Sequence, residues 1–181
     1  MKMADMTPDL FAEPRTEDGR VPPLADRMRP SGIDQLFGQA HVLSDESFLR
    51  AAILEDSLPS MILWGPPGCG KTSLAHVVAS TSQAVFAPFS AVLGGLKDVR
   101  ELVHAAKARA RGGERTILFV DEIHRFNKGQ QDAFLPHVES GVITLIGATT
   151  ENPSFALNAA LMSRCRLIQL KALAPDALRS M

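Results

Sequence analysis

The residues best suited to chemistry lie in the run Gly65-Pro66-Pro67-Gly68-Cys69-Gly70-Lys71-Thr72, where glycines recur ahead of a lysine and a hydroxyl. Glycines let a backbone curl closely round an anion with its N–H groups turned inward, which is how phosphates are cradled. Lys71 can then reach the β and γ phosphates of a nucleoside triphosphate, and the Thr72 hydroxyl can ligate magnesium. A triphosphate site is therefore expected from Gly65, Pro66, Pro67, Gly68, Cys69, Gly70, Lys71 and Thr72, with Ser73 beside them. A second constellation, the pair Asp121-Glu122, follows about fifty residues later at the end of an apolar run. Asp121 can hold the metal directly or through water, and Glu122 can polarise a water for in-line attack on the γ-phosphate. Thr149 and Thr150 supply hydroxyls further on. Such groups can bond the γ-phosphate or the attacking water, but residues of this kind also serve as ordinary turn formers.

The elements that must carry these groups are legible in the apolar pattern. Met61-Ile62-Leu63-Trp64 reads as a buried strand feeding the glycine-rich loop. Leu74, Val77 and Val78 fall at helical spacing between Lys71 and about Thr81, so the loop opens onto a helix N-terminus whose dipole favours negative charge. Thr116 to Val120 is an apolar strand that delivers Asp121 to its carboxyl end, where ligands sit in open α/β sheets. Val142 to Ile146 reads as a further strand, Thr149 and Thr150 close the string Leu145-Ile146-Gly147-Ala148-Thr149-Thr150-Glu151-Asn152, and Arg166 to Leu170 is another strand. Val85 to Phe89 is a strand whose Pro88 argues for an edge position or an early end. Helices are expected from Ser47 up to Pro59, through Val99, Leu102, Val103 and Ala106, and over Gln130 to Glu139, where Pro136 should kink or shorten the helix. Short apolar strands alternating with helices imply an α/β fold with a parallel sheet covered on both faces.

Composition narrows the class. At 181 residues and 45% hydrophobic, the chain can bury one sizeable core. The formal net charge of -1, from 19 basic and 20 acidic residues, gives bulk electrostatics no pull on nucleic acid, so any DNA contact must be local or lie elsewhere. Cys69 and Cys165 are far apart and form no metal-ligand pair, which fits a reducing compartment. Cys69 sits near a helix N-terminus and is expected to be a somewhat reactive thiol. There is no apolar run of membrane-spanning length and no signal-peptide core, so a soluble cytoplasmic protein is expected. Residues 1–22 lack periodicity and read as a mobile arm.

Four strings together resemble the AAA+ ATPases: Pro23-Leu24-Ala25-Asp26-Arg27-Met28-Arg29-Pro30, Phe37-Gly38-Gln39, Asp121-Glu122-Ile123-His124-Arg125-Phe126-Asn127-Lys128, and Gly147-Ala148-Thr149-Thr150-Glu151-Asn152-Pro153-Ser154-Phe155. The resemblance is to the bacterial replication-associated recombination protein A family, whose eukaryotic members are the Werner helicase-interacting ATPases. It implies an AAA+ P-loop NTPase core over residues 23–172, a parallel sheet sandwiched by helices. Residues 173–181 would then begin a truncated helical lid, with the second sensor arginine missing. The implied ligands are ATP and Mg2+. Thr150 matches the first sensor position, Phe37, Gly38 and Gln39 match the segment that lies along the adenine, and Ser90 aligns with a polar residue that restrains the catalytic glutamate. Ser163-Arg164-Cys165 is similar to a motif whose arginine reaches into a neighbouring subunit, which makes Arg164 a catalytic finger in trans, with Arg166 the alternative. The implied role is ATP-driven maintenance of replication forks, recombination and repair at the nucleoid. Expected partners are forked or single-strand-containing DNA, further copies of the chain, and a single-strand-binding protein or sliding clamp. A clamp-loader or branch-migration subunit, or a nucleotide-controlled recruitment module with little turnover, would share much of this site. With lid and neighbour compromised, the chain is expected to bind nucleotide better than it hydrolyses it.

Weaker signals have blander readings. His124 and His137 lack zinc spacing and read as surface or capping imidazoles rather than metal ligands or proton relays. Lys107, Arg109 and Arg111 precede Gly112-Gly113 and read as a solvated helix C-terminus complementing the dipole rather than as a DNA contact. Asp9-Leu10-Phe11 loosely resembles the acidic-hydrophobic peptides that dock on sliding clamps.

Overall fold

The apolar residues of each central strand divide by parity, and that division builds the molecule. A computed structural model describes residues 29–175 and 177. The expected arm over residues 1–22, its Asp9-Leu10-Phe11 peptide and the string from Pro23 to Met28 lie outside the described residues. Five parallel strands form one sheet in the order β2-β3-β4-β1-β5. They are β1 (Met61–Trp64), β2 (Val85–Ser90), β3 (Thr116–Asp121), β4 (Thr144–Thr149) and β5 (Arg166–Gln169). On one face Met61, Leu63, Ile117, Phe119, Ile146 and Ala148 pack against Leu49, Ile53, Leu74, Val77 and Val78. On the other, Ile62, Ala87, Leu118, Val120 and Leu145 pack against Val99, Val103, Ala106, Phe134 and Leu161. Side chains alternate along a strand, so the middle of a strand buried on both faces must be apolar, as in β1, β3 and β4.

The first face is covered by α1 (Ala40–Leu43), α2 (Phe48–Leu54) and α3 (Lys71–Thr81). Ser47 caps α2 by accepting a hydrogen bond from the Arg50 N–H at 3.2 Å. The second face is covered by α4 (Leu96–Arg111), α5 (Lys128–Asp132), α6 (Leu135–Glu139), α7 (Pro153–Ala156) and α8 (Ala159–Met162). Pro136 does break the expected Gln130–Glu139 helix: α5 stops at Asp132 and α6 restarts with the proline in its first turn, where its missing N–H costs nothing. Pro88 lies on β2, an edge strand, as its missing donor requires.

One strand is shifted from expectation. β4 runs over Thr144–Thr149 rather than Val142–Ile146. The Ile143 N–H donates to the His137 carbonyl at 3.2 Å and so ties that end back to α6. At the other end Gly147 and Ala148 continue the ladder between β3 and β1. A Cβ on Gly147 would stand 2.8 Å from Ile62 Cδ1 and 3.0 Å from Ile123 Cδ1, so the bare glycine admits both side chains beneath the strand. No helix among the described residues is long and apolar enough to cross a membrane.

Candidate active site

Three strand ends and one loop meet at the carboxyl edge of the sheet. Trp64 is in register with Thr149, and the Gly65 N–H donates to the Thr149 carbonyl at 3.2 Å, so the glycine-rich loop begins beside the end of β4. A Cβ on Gly65 would lie 2.4 Å from the Leu170 carbonyl oxygen, so no larger residue fits there. Gly70 has φ +97°, a left-handed conformation that costs glycine little, and from it α3 departs with no side chain capping its first N–H groups. Uncapped N–H groups and the dipole at such a helix start favour an anion. Lys71 is 8% exposed, and its Nζ donates to the carbonyls of Gly65 at 2.8 Å and Pro66 at 2.9 Å. The loop thus curls round the lysine amine itself. Thr72 and Ser73 follow, half-buried, on the first turn of α3.

Asp121 ends β3, and alternation turns it to the face of Ile117 and Phe119, the face that α3 covers. That places a carboxylate on the same side as the Thr72 hydroxyl. Glu122 takes φ +53° and starts the 3-10 turn Ile123–Arg125. Left-handed backbone at a non-glycine residue is strained, and such strain concentrates at functional sites. One carboxylate oxygen of Glu122, Oε2, is buried without a hydrogen-bond partner. Thr149 is fully buried and Thr150, one residue past β4, is half-buried. Ser90 is the last residue of β2 rather than a residue beyond it, in register with Asp121.

Phe37, Gly38 and Gln39 lie beside the loop, but they do different things. Leu36, Phe37, Gln39, Cys69, Ser73 and Leu173 line an apolar pocket next to the phosphate loop. Gly38 has φ +77°, and a Cβ there would meet Leu173 Cδ2 at 2.7 Å. Gln39 is 5% exposed and its amide serves backbone. Nε2 donates to the carbonyls of Cys69 at 3.0 Å and Lys171 at 2.7 Å, while Oε1 accepts from the Lys171 N–H at 3.1 Å. Gln39 therefore fastens the phosphate loop to the chain leaving β5.

Other expectations change more. Cys69 is 1% exposed and packed in the core, so the thiol that sequence position suggested would be reactive is shielded. Burial pushes the Cys165 thiol up to about 11. His124 is no surface imidazole, since its side chain is 5% exposed and lies between Glu122, Thr149 and Glu151. Its position two residues after the acidic pair was the one sequence signal for that role. Arg164 lies away from the loop, ion-paired with Glu139 through Nη2 and bonded through Nη1 to the Ala160 carbonyl at 2.8 Å. Arg166 sits with its guanidinium 5.0 Å from the Phe48 ring centre. Arg109 and Arg111 occupy the last turn of α4, as the dipole favours.

The donor set suits a magnesium-bound triphosphate. Magnesium is usually held by one or two carboxylates and substrate oxygens rather than by an all-protein cage. A threonine hydroxyl and Asp121 are donors of that kind, and the buried lysine and uncapped helix N-terminus match the anion.

Comparison with known proteins agrees with this geometry. The chain is 55% identical over 159 residues to replication-associated recombination protein A of Escherichia coli K12, covering 88% of this chain and 36% of that protein. It is 48% identical over 159 residues to the ATPase WRNIP1 of Dictyostelium discoideum, covering 88% of this chain and 18% of that protein. Among solved structures, the Thermotoga maritima RuvB Holliday junction branch migration motor superposes with a TM-score of 0.68 at 33% identity, over 84% of this chain and 52% of that one. The chain therefore spans about a third or less of the length of these two curated relatives. The profile of the ATPase family associated with various cellular activities matches residues 61–173, the sheet and every strand-end group described above. With its phosphate loop, acidic strand end and sheet order in place, this chain belongs to the AAA family of ATPases.

Proposed function

We propose that this chain binds ATP with magnesium and hydrolyses it, as the nucleotide-driven part of a protein that acts on DNA during replication and recombination. The observation that carries the catalytic reading is the meeting of Lys71, Thr72, Asp121, Glu122 and Thr150 along one sheet edge, from three separate segments of the chain. Lys71 exchanges its two carbonyl partners for phosphate oxygens, and the loop's N–H groups complete the cradle. Thr72 and Asp121 hold the metal, which when bound neutralises charge on the phosphates. Glu122 takes the proton of the attacking water, and Thr150 bonds the γ-phosphate. Phe37 and Gly38 flank the base.

The DNA role rests on similarity to proteins named for replication-associated recombination and branch migration. In this reading the protein works as a homo-oligomer in the cytoplasm at replication forks, where forked or single-strand-containing DNA is its substrate. Arg164 leaves Glu139 to stabilise charge in the neighbouring subunit's site. A single-strand-binding protein or a sliding clamp would recruit it.

The test is ATP turnover with and without forked DNA. Lys71→Ala should abolish tight nucleotide binding, and unchanged affinity would refute the site. Glu122→Gln should keep binding and lower turnover by about 100-fold or more, the usual worth of a positioned base. Turnover indifferent both to Glu122→Gln and to DNA would favour a recruitment module instead.

A further inference from the structure

Three oxygens compete for the two ring nitrogens of His124. Nδ1 is 3.0 Å from Thr149 Oγ1 and 3.2 Å from Glu122 Oε2, while Nε2 is 3.4 Å from Glu151 Oε1. The local fold explains why these groups meet. Val120 pairs with Gly147, so continuing the β3–β4 register by two places sets Glu122 level with Thr149. There the left-handed Glu122 turns the chain, Ile123 plugs the space left by Gly147, and His124 is carried back under the end of β4.

We propose that His124 is a positioning residue that couples the end of β4, and through it the γ-phosphate sensor Thr150, to the catalytic glutamate Glu122. This rests on the reading of Glu122 as the base. Nδ1 can satisfy one neighbour well at a time: it accepts from the Thr149 hydroxyl or, as the other tautomer, donates to Glu122. In this structure the Thr149 bond is made and Glu122 Oε2 is left buried and unbonded. The Thr149 hydroxyl has an alternative acceptor, the Glu151 carbonyl at 3.3 Å, and it also accepts from the Glu151 N–H at 3.1 Å. A shift of residues 149–151 therefore decides whether that hydroxyl points at His124 or at its own loop. When it points at the loop, Nδ1 is released to bond Glu122 and fix its carboxylate. Glu151, with its side chain 62% exposed, can turn to solvent when the single ring proton passes through water from Nε2 to Nδ1, the neutral ring only changing tautomer. Thr150 lies in the middle of this segment, so phosphate contact there moves the groups that set Glu122.

The experiment compares His124→Ala, His124→Asn, Thr149→Val and Glu122→Gln in the full chain, by ATP titration, steady-state turnover and thermal unfolding. His124→Ala is expected to lower kcat about tenfold or more while KM and ATP affinity change less than about twofold, the split that marks loss of an interaction made in the transition state. His124→Asn, whose amide can bond in place of Nδ1, should recover part of the loss. Thr149→Val should alter kcat alone and add nothing in the His124→Ala background, because both act through one contact. The coupling is overturned if His124→Ala turns over as wild type while Glu122→Gln is inactive. Additive effects of Thr149→Val and His124→Ala overturn it too, as does a fall in kcat matched by lost ATP affinity. If Glu122→Gln itself keeps wild-type turnover, the hydrolysis reading fails and the coupling with it.

Discussion

At the scale of single residues, the site depends on side chains whose partners are backbone. Lys71 bonds two loop carbonyls, and Gln39 holds the carbonyls of Cys69 and Lys171 together with the Lys171 N–H. A phosphate loop must present its N–H groups inward, so something has to occupy its outward carbonyls, and Gln39 occupies that of Cys69. Gln39→Ala would leave the buried Cys69 carbonyl unpaired and take the amide partner from the part-buried Lys171 carbonyl and N–H, and is expected to destabilise the fold by about 1–3 kcal/mol. It should also raise the KM for ATP, because the loop loses its tie to the segment after β5. Urea unfolding beside ATP titration separates the two effects, and an unchanged midpoint would show that water replaces the amide without loss.

At the scale of elements, strand register does the positioning. β1, β3 and β4 pair in parallel so that Trp64 aligns with Thr149 and Val120 with Gly147, so the loop and Thr150 leave the sheet side by side, with Asp121 level with Ala148 and Glu122 level with Thr149. The weak point is Gly147, where any side chain meets Ile62 and Ile123. Gly147→Val is expected to cost about 1–3 kcal/mol by overpacking. Because Ile123 anchors the turn between Glu122 and His124, turnover should fall further than ATP affinity. Equal losses in both would mean that the damage spreads through the sheet instead of staying at this turn. Gly147 could be recognised in advance only as a small residue in a strand pattern, since its purpose is to leave room for residues distant in sequence.

At the scale of the whole molecule, a cluster at the opposite edge of the sheet contributes to the response to acid. Asp56 follows α2 with φ +50°, accepts from Ser82 Oγ at 2.5 Å and pairs with Arg115, so segments before β1, β2 and β3 are tied at one point. The Ser82 hydrogen bond, with Arg115 and the Gln83 N–H, holds the Asp56 carboxyl below its ordinary value of 3.8. A carboxyl lowered on folding contributes stability in full above its unfolded value and loses it as the pH falls through the folded one. Burial, with Lys107 nearby, lowers His137 below 6.5, so acidification first costs stability there as the unfolded chain takes up the proton more readily. Stability should therefore fall in two stages as the pH drops, and Asp56→Asn should flatten the second; unfolding midpoints between neutral and acid pH measure this, and an unaltered acid limb in the variant would contradict it. The sequence by itself determined the strand, loop and helix that carry Lys71 and the acids that close β3, because these follow from local periodicity and glycine. Only the tertiary structure decided that Gln39 braces the loop, that Cys69 is shielded, that Gly147 makes way for Ile123, and that His124 stands between Glu122 and Thr149. Each of those depends on which residue comes to lie opposite in a parallel sheet, and that distance is set by packing, not by position along the chain.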